Sequence, residues 1–299
     1  MSKKTRLSFE IFSTRMEDRK NLYELLDELK ILDPDFISVA CSTNKENAKD
    51  TPLNIVDYVR NTVNISDYIQ NTLELPAITH LPSLYLGKEE VAETLDLIEK
   101  AGINSILALK GDAIAGMKPK EDFPYASDLV RFIKNKNENF KILGACYPDG
   151  HKESLNQAQE IENLKKKVDA GCETLVSQLF FDNDSFYNFR DKCQGADINV
   201  PILAGIMPAV NRNQILRLLD ICKTVKLPKE FKEILEKYEH DPVSLRQAGL
   251  DYAVDQITDL VTNDVDGIHL FTMNQASVAK YVCDNTSHIF ESVNRHKQQ

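Results

Sequence analysis

Several features are missing from this 299-residue chain, and each absence removes a class of protein. The six cysteines, at 41, 146, 172, 193, 222 and 283, form no Cys-x-x-Cys pair and no close-spaced set of metal ligands, so neither a zinc site nor a dithiol redox motif is expected. Free thiols are the default. No stretch approaches the roughly 18 consecutive apolar residues of a membrane-spanning helix. The basic segment Met1 to Arg6 leads into a short strand-like run rather than a long apolar one, so a cytoplasmic protein without export or membrane span is expected. Positive charge is scarce, with 36 Lys and Arg against 46 Asp and Glu and a net charge of -10. That balance offers no basic footprint for nucleic acid, and any anion site has to be a local cluster of donors. No Gly/Ser-rich linker or low-complexity segment marks a second domain, and no Gly-x-Gly-x-x-Gly follows the first strand-like run.

What is present is a regular alternation. Short β-rich runs begin at Leu7, Phe36, Pro76, Ser105, Lys141, Thr174, Pro201 and Gly267. Amphipathic stretches lie between them. In the first, Leu22, Leu25, Leu26 and Leu29 fall on one helical face. Val91, Leu95 and Ile98 repeat the pattern before a stop at Gly102, and Asp169-Ala170-Gly171 makes a similar stop. The run Lys165-Lys166-Lys167 falls on a helix expected to begin near Ser154. Eight strand–helix units imply parallel pairing with right-handed crossovers. The expected fold is therefore an α/β (β/α)8 barrel occupying residues 1–299 as one domain. Extra helices around 215–222, 231–238 and 245–261 fill the long gap between strands seven and eight. An open doubly wound sheet is the competing architecture.

In such a barrel, catalytic side chains sit where strands end. Strand alternation in Ser8-Phe9-Glu10-Ile11-Phe12 sends Glu10 into the barrel mouth. There, partial desolvation favours the protonated carboxyl that a general acid needs near neutral pH. The other reading is a structural Glu paired with a cation such as Lys110. His80 closes the third strand and Lys110-Gly111-Asp112 the fourth. Each alone is as consistent with a structural His or a turn as with chemistry. Tyr147 and His151 share the fifth rim. Gln178, beside Val176 and Phe180, is an amide in need of partners or a ligand. The triple lysine is by default a solvated face, although one member could turn to a phosphate.

Taken in order, Phe9-Glu10-Ile11-Phe12, His80-Leu81, Leu109-Lys110-Gly111-Asp112, Tyr125 to Val130, Tyr147-Pro148 with His151, Asn163 to Gly171, Gln178 with Phe180-Phe181-Asp182, Gly205 to Pro208 and Phe271 to Asn274 resemble the methylenetetrahydrofolate reductase family along nearly the whole chain. The resemblance is to the bacterial, catalytic-domain-only type, given the short stretch after Phe290. It implies an FAD-dependent reduction of 5,10-methylenetetrahydrofolate by NADH or NADPH, with ping-pong hydride transfer through the flavin. FAD would lie across the barrel top without a Rossmann motif. The implied flavin contacts are His80, Lys110, Gly111, Asp112, Ala126, Tyr147, His151, Glu160, Asn163, Lys166 and Lys167. Glu10 matches the general acid, and Asp112 a carboxylate near flavin and pterin. Gln178, Gln214 and Gln275 match folate-contacting positions, and a homo-oligomer follows from family precedent.

Three positions depart from the family pattern. Ala40-Cys41-Ser42-Thr43 replaces a glycine-containing turn after the second strand. Gln275 stands where an Arg is common, which removes a charge-assisted bond. Leu218 replaces a Phe found in some members. Rival readings are a proline-dehydrogenase-like flavin barrel, a non-catalytic flavin- or folate-binding partner, and a metal-dependent barrel lyase using His80, Asp112 and His151. The last is the weakest, and no metal is expected.

Overall fold

A computed structural model describes residues 4–13, 19–41, 54–114 and 116–298. Ser42 and Thr43 of the unusual second-strand turn lie outside the described residues. The eight expected strands are all present: β1 (Arg6–Phe12), β2 (Phe36–Ala40), β3 (Ala77–Pro82), β4 (Ser105–Leu109), β5 (Lys141–Cys146), β6 (Cys172–Ser177), β7 (Ile202–Ile206) and β8 (Gly267–Phe271). They close in sequence order into a barrel, which settles the architecture against an open sheet. Pairing is parallel where the register is defined, as in Ile37 opposite Ala77, His80 opposite Leu107, and Ile206 opposite Leu270.

Helices α1 (Arg19–Ile31), α2 (Ile55–Asp67, extended by a π-helical turn at Tyr68–Thr72), α3 (Lys88–Lys100), α4 (Ala126–Lys136), α5 (Gln157–Asp169) and α6 (Asn183–Gly195) follow successive strands. Three helices, α7 (Arg212–Ile221), α8 (Lys229–Lys237) and α9 (Pro242–Thr262), fill the gap before β8, and α10 (Ala276–Gln298) ends the chain. The leucine face of α1 is buried as its spacing requires, and so are Val91, Leu95 and Ile98 of α3. Gly102 and Gly171 take φ of +68° and +116° just beyond α3 and α5, conformations costly for any side chain. Caps hold the helix starts: Asn54 accepts from the Val56 amide, Asp182 from Asp184, Asn211 from Gln214 and Asp241 from Ser244.

Several boundaries differ from expectation, among them the starts of α7 at Arg212 and α9 at Pro242, and two of the differences have a visible cause. Helix α5 starts at Gln157 rather than near Ser154. Residues 151–154 close a separate turn in which the Ser154 amide donates to the His151 carbonyl, while the Asn156 side chain accepts from the Gln159 amide. β6 starts at Cys172, two residues early, directly after the positive-φ stop at Gly171.

The chain packs as two compact units. One comprises Phe9–Ala145 and Lys166–Thr174, the other Met1–Ser8, Cys146–Lys165 and Leu175–Gln299. In the first, Leu81, Ile106, Ala108 and Ile142 of the strands meet Val59, Val63, Val91, Leu95, Leu129 and Ile133 of the helices. In the second, Phe181, Met207, Ala209, Ile215, Phe231 and Leu245 form a cluster that buries the extra helices. Phe181 and Phe231 stack at 4.4 Å there. The added helices are therefore held by apolar packing.

Candidate active site

Within the first unit, strand alternation places the key carboxylate. Phe9 and Ile11 are fully buried, whereas Glu10 between them turns to the other face of β1. On β3, Leu81 joins the helix-facing cluster, so its neighbour His80 also turns inward. The two inward groups meet, His80 Nε2 lying 3.6 Å from Glu10 Oε2, with side chains 10% and 11% exposed. The ends of β3 and β4 are tied together, since the Ser83 and Leu84 amides donate to the carbonyls of Leu109 and Lys110 at 3.1 and 2.8 Å. Gly111 follows with φ of +90°, and a Cβ there would stand 3.1 Å from Pro82 Cβ. Only glycine lets the backbone turn this close, leaving Lys110 half-buried and Asp112 exposed at the strand end. Ala126, half-buried, is the first residue of α4, where Asp128 accepts from the Tyr125 amide at 3.1 Å.

The lysine run divides. Lys167 donates to the Ala145 carbonyl, and its stem covers Gly144, where a Cβ would come 2.7 Å from Lys167 Cδ. Lys165 reaches the Asp197 carbonyl at 3.3 Å. Lys166 is exposed. Cys41, after β2, is a half-buried thiol pushed up to about 11 by desolvation, which makes it a poor nucleophile.

In the second unit, Tyr147 and His151 bring their rings to 4.5 Å across the loop after β5. The Gly150 amide donates to the Tyr147 carbonyl at 3.0 Å, and the Glu153 amide to His151 Nδ1 at 3.2 Å. Glu160 is buried and accepts from the Ser154 hydroxyl at 2.5 Å, while Asn163 is exposed on α5. Gln178 follows β6 directly. Its amide donates to the Cys146 carbonyl at 2.7 Å, and its side-chain oxygen accepts from the Leu179 amide at 2.9 Å. Gln214 is half-buried in the first turn of α7. Leu218 packs against the apolar cluster of the extra helices.

Two residues escaped the sequence reading. Asp149 anchors the β5 loop, accepting from the Lys226 amide at 3.2 Å while the Thr224 hydroxyl donates to the Gly150 carbonyl at 2.6 Å. Burial pushes the Asp149 carboxyl above its usual range. Its place between Tyr147 and His151 was the available signal. Arg246 on α9 donates to Gln275 Oε1 at 3.1 Å, so the neutral Gln275 has a guanidinium beside it. No local motif announces that pairing across 29 residues of sequence. Beyond β8, Met273 and Asn274 both take positive φ, 52° and 56°. Two such non-glycine residues in succession store backbone strain, a feature that clusters at functional sites. Among the described residues no group of three His, Cys, Asp or Glu could hold a metal ion, and no helix is long and apolar enough to cross a membrane.

A closed eight-stranded barrel whose strand ends carry a paired Glu and His, a glycine-backed Lys-Gly-Asp turn and a Tyr–His ring pair belongs to the class of (β/α)8-barrel enzymes. Comparison with known proteins narrows the class. The methylenetetrahydrofolate reductase family model matches residues 1–287. The 5,10-methylenetetrahydrofolate reductase of Buchnera aphidicola is 31% identical over 282 residues, covering 94% of this chain and 90% of that protein. The Escherichia coli enzyme of the same name is 30% identical over 278 residues, covering 93% and 89%. Methylenetetrahydrofolate reductase (NADH) 1 of Arabidopsis thaliana is 30% identical over 303 residues, and the chain spans about half of its length, 49%. Among solved structures, a Clostridium thermocellum protein described as binding two copies of 5-methyl-5,6,7,8-tetrahydrofolic acid shares the fold. Its TM-score is 0.63 at 12% identity, with 97% of this chain and 96% of that one covered. Oxaloacetate acetylhydrolase shares it more distantly, at TM-score 0.52. This chain belongs to the methylenetetrahydrofolate reductase family, and it is an oxidoreductase of folate-based one-carbon metabolism.

Proposed function

We propose that the chain reduces 5,10-methylenetetrahydrofolate to 5-methyltetrahydrofolate with NADH or NADPH through bound FAD, residues 1–299 serving as one catalytic domain. The observation that carries this reading is Glu10, a carboxyl drawn inside the barrel and set against His80. A buried acid has no use in a module that only binds. FAD, when bound, accepts hydride from the nicotinamide and passes it to the folate, so the two substrates alternate. The residues present fit that cofactor. Gly111 keeps the Lys110-Gly111-Asp112 turn tight against Pro82, while His80, Lys110 and Lys166 supply donors suited to phosphate or a flavin carbonyl. Gly111, Asp112 and Ala126 complete the contacts assigned to the first unit. Tyr147, His151 and Asn163 provide rings and an amide in the second.

Two assigned contacts take supporting roles. Glu160 braces the loop through Ser154, and Lys167 braces β5 through Ala145. Each acts on the cofactor by holding the backbone beside it.

Glu10 gives a proton to a nitrogen of the folate's five-membered ring, which opens to an electrophilic iminium. Asp112 favours that cation and holds the pterin by hydrogen bonds. Gln178 presents its amide to folate and nicotinamide in turn, and Gln214 and Gln275 hold the folate. Asp112→Asn therefore slows the folate half-reaction more than it weakens FAD retention. The protein acts on small molecules and, by family precedent, as a homo-oligomer.

The test is the visible spectrum of the purified protein, followed anaerobically as NADH and then methylenetetrahydrofolate are added. A flavin band that bleaches with NADH and returns with the folate supports both half-reactions. A protein that holds FAD and bleaches without returning is a different flavoenzyme, and one that neither retains nor binds FAD sinks the proposal.

A further inference from the structure

The extra helices carry a cation that the sequence reading did not use. Arg246 lies in the second turn of α9, half-buried. Its guanidinium donates to two neutral oxygens, Gln275 Oε1 at 3.1 Å and Ser277 Oγ at 3.0 Å. Among the described residues it forms no ion pair. A half-buried guanidinium that meets only neutral acceptors keeps its full charge available to an anionic ligand.

The acids nearest in sequence are engaged elsewhere. Glu239 pairs with Arg212 at 2.9 Å. Asp241 caps α9 by accepting from the Ser244 amide at 3.1 Å. Asp251 accepts from the Tyr281 hydroxyl at 2.6 Å and from the Gln247 amide group at 2.9 Å.

Arg246 is also fixed in place. Its neighbour Leu245 is buried in the apolar cluster with Met207 and Ala209, which follow β7. At Gly249 a Cβ would stand only 2.0 Å from the Ala209 carbonyl oxygen, so α9 lies directly against that loop. Gln275 and Ser277 hold the guanidinium from the other side, just past the strained Met273-Asn274 turn after β8. The cation therefore stands at the C-terminal ends of β7 and β8, the end of a barrel where substrates bind. Two of its fork nitrogens are spent on positioning, and the remaining N–H donors are left for an anion.

We infer that Arg246 is a substrate-binding residue whose guanidinium, held by Gln275 and Ser277, takes a carboxylate of the folate's glutamyl tail. The inference rests on the folate reading above. The nicotinamide dinucleotide also carries anionic groups, but these are phosphates. The experiment separates the two.

Steady-state KM and kcat are measured for Arg246→Gln, Arg246→Lys and the unaltered protein. The folate is used both intact and as an analogue lacking the glutamyl carboxylates. Thermal melting and bound-FAD content report folding. Loss of a charge-assisted contact raises the KM for intact folate in Arg246→Gln about 10- to 100-fold, with kcat changed much less. Arg246→Lys recovers part of the loss. The truncated analogue has the same KM with Arg246→Gln as with the unaltered protein, since neither combination contains the contact.

The inference is overturned if Arg246→Gln discriminates intact from truncated folate as well as the unaltered protein does. It is equally overturned if the KM that rises is that of NADH, which would assign the cation to a phosphate. If the unaltered protein fails to oxidise its reduced flavin with folate at all, the proposed function falls and this inference with it. Should Arg246→Gln not fold, Arg246→Lys and Ser277→Ala, which removes one of the two acceptors that hold the guanidinium, carry the same comparison.

Discussion

His80 Nε2 stands 3.6 Å from Glu10 Oε2, two side chains from strands that are not neighbours in the barrel order, both largely removed from water. The contact constrains where the carboxyl points, and it allows a charge-neutral substitution that keeps the shape. Glu10→Gln retains an oxygen for His80 but has no proton to donate. Bound FAD and its reduction by NADH should be unchanged, whereas reoxidation by methylenetetrahydrofolate should slow by about 100-fold or more. Anaerobic stopped-flow absorbance measures the two steps separately. Folate-driven reoxidation near the unaltered rate would remove Glu10 from the general-acid role.

The adjacent lysines at the end of α5 should behave differently. Lys167 is committed to the Ala145 carbonyl, with its stem packed over Gly144, whereas Lys166 is exposed. Lys166→Ala should weaken FAD retention on dialysis and leave the melting temperature nearly unchanged. Lys167→Met should lower the melting temperature, by the equivalent of about 1–3 kcal/mol for losing a charge-assisted bond to a part-buried carbonyl. Its effect on FAD would be indirect. The opposite pattern, with Lys167→Met stable but depleted of flavin, would make Lys167 the phosphate contact.

Most of the barrel could be read in advance because its signals are local. The leucine face of α1, the stops at Gly102 and Gly171, and the alternation that turns Glu10 inward each depend on residues a few positions apart. The rest depends on contacts that local sequence does not announce. Nothing near Lys167 marks it as the lysine that would reach back 22 residues to Ala145. Nothing near Gln275 says that a guanidinium from α9 would stand beside it. The start of α5 is not legible at Ser154, because that residue closes a turn instead, its amide donating to the His151 carbonyl and its hydroxyl to Glu160.

Asp149 provides a pH test. Burial is the main cause of its raised pKa, with Asp182 adding to it. The Lys226 amide and charge and the Ser185 hydroxyl oppose it. For a carboxyl raised in the folded state, its contribution to stability is fully present below the unfolded value near 3.8 and is lost as pH rises through the folded value. Asp149→Asn cannot ionise and keeps an acceptor for the Lys226 amide. The variant's melting temperature minus that of the unaltered protein should therefore grow as pH rises above the unfolded value near 3.8, and level off once pH has passed the folded value. A difference that is flat with pH would show that the carboxyl carries no such penalty. The same substitution should leave the flavin spectrum intact if the β5 loop needs only the hydrogen bond and not the charge.

Two glycines predict opposite outcomes for the same added methyl group. At Gly249 the new Cβ would meet the Ala209 carbonyl oxygen at 2.0 Å and its carbon at 2.7 Å, both backbone atoms that cannot swing aside. Helix α9 would have to move off the loop after β7, at a cost of about 1–3 kcal/mol. Because that helix carries Arg246, the KM for folate should rise along with the loss of stability. At Gly195, the last residue of α6, a Cβ meets nothing within 4 Å and the backbone is not left-handed. Alanine there should stabilise the protein by about 0.4–1 kcal/mol through reduced freedom of the unfolded chain. Urea midpoints of the two variants should thus move in opposite directions, with only Gly249→Ala changing folate kinetics. If Gly249→Ala lost stability but kept its folate KM, the placement of α9 would matter to the fold and not to substrate binding, and the cation at its start would have no part in holding the tail.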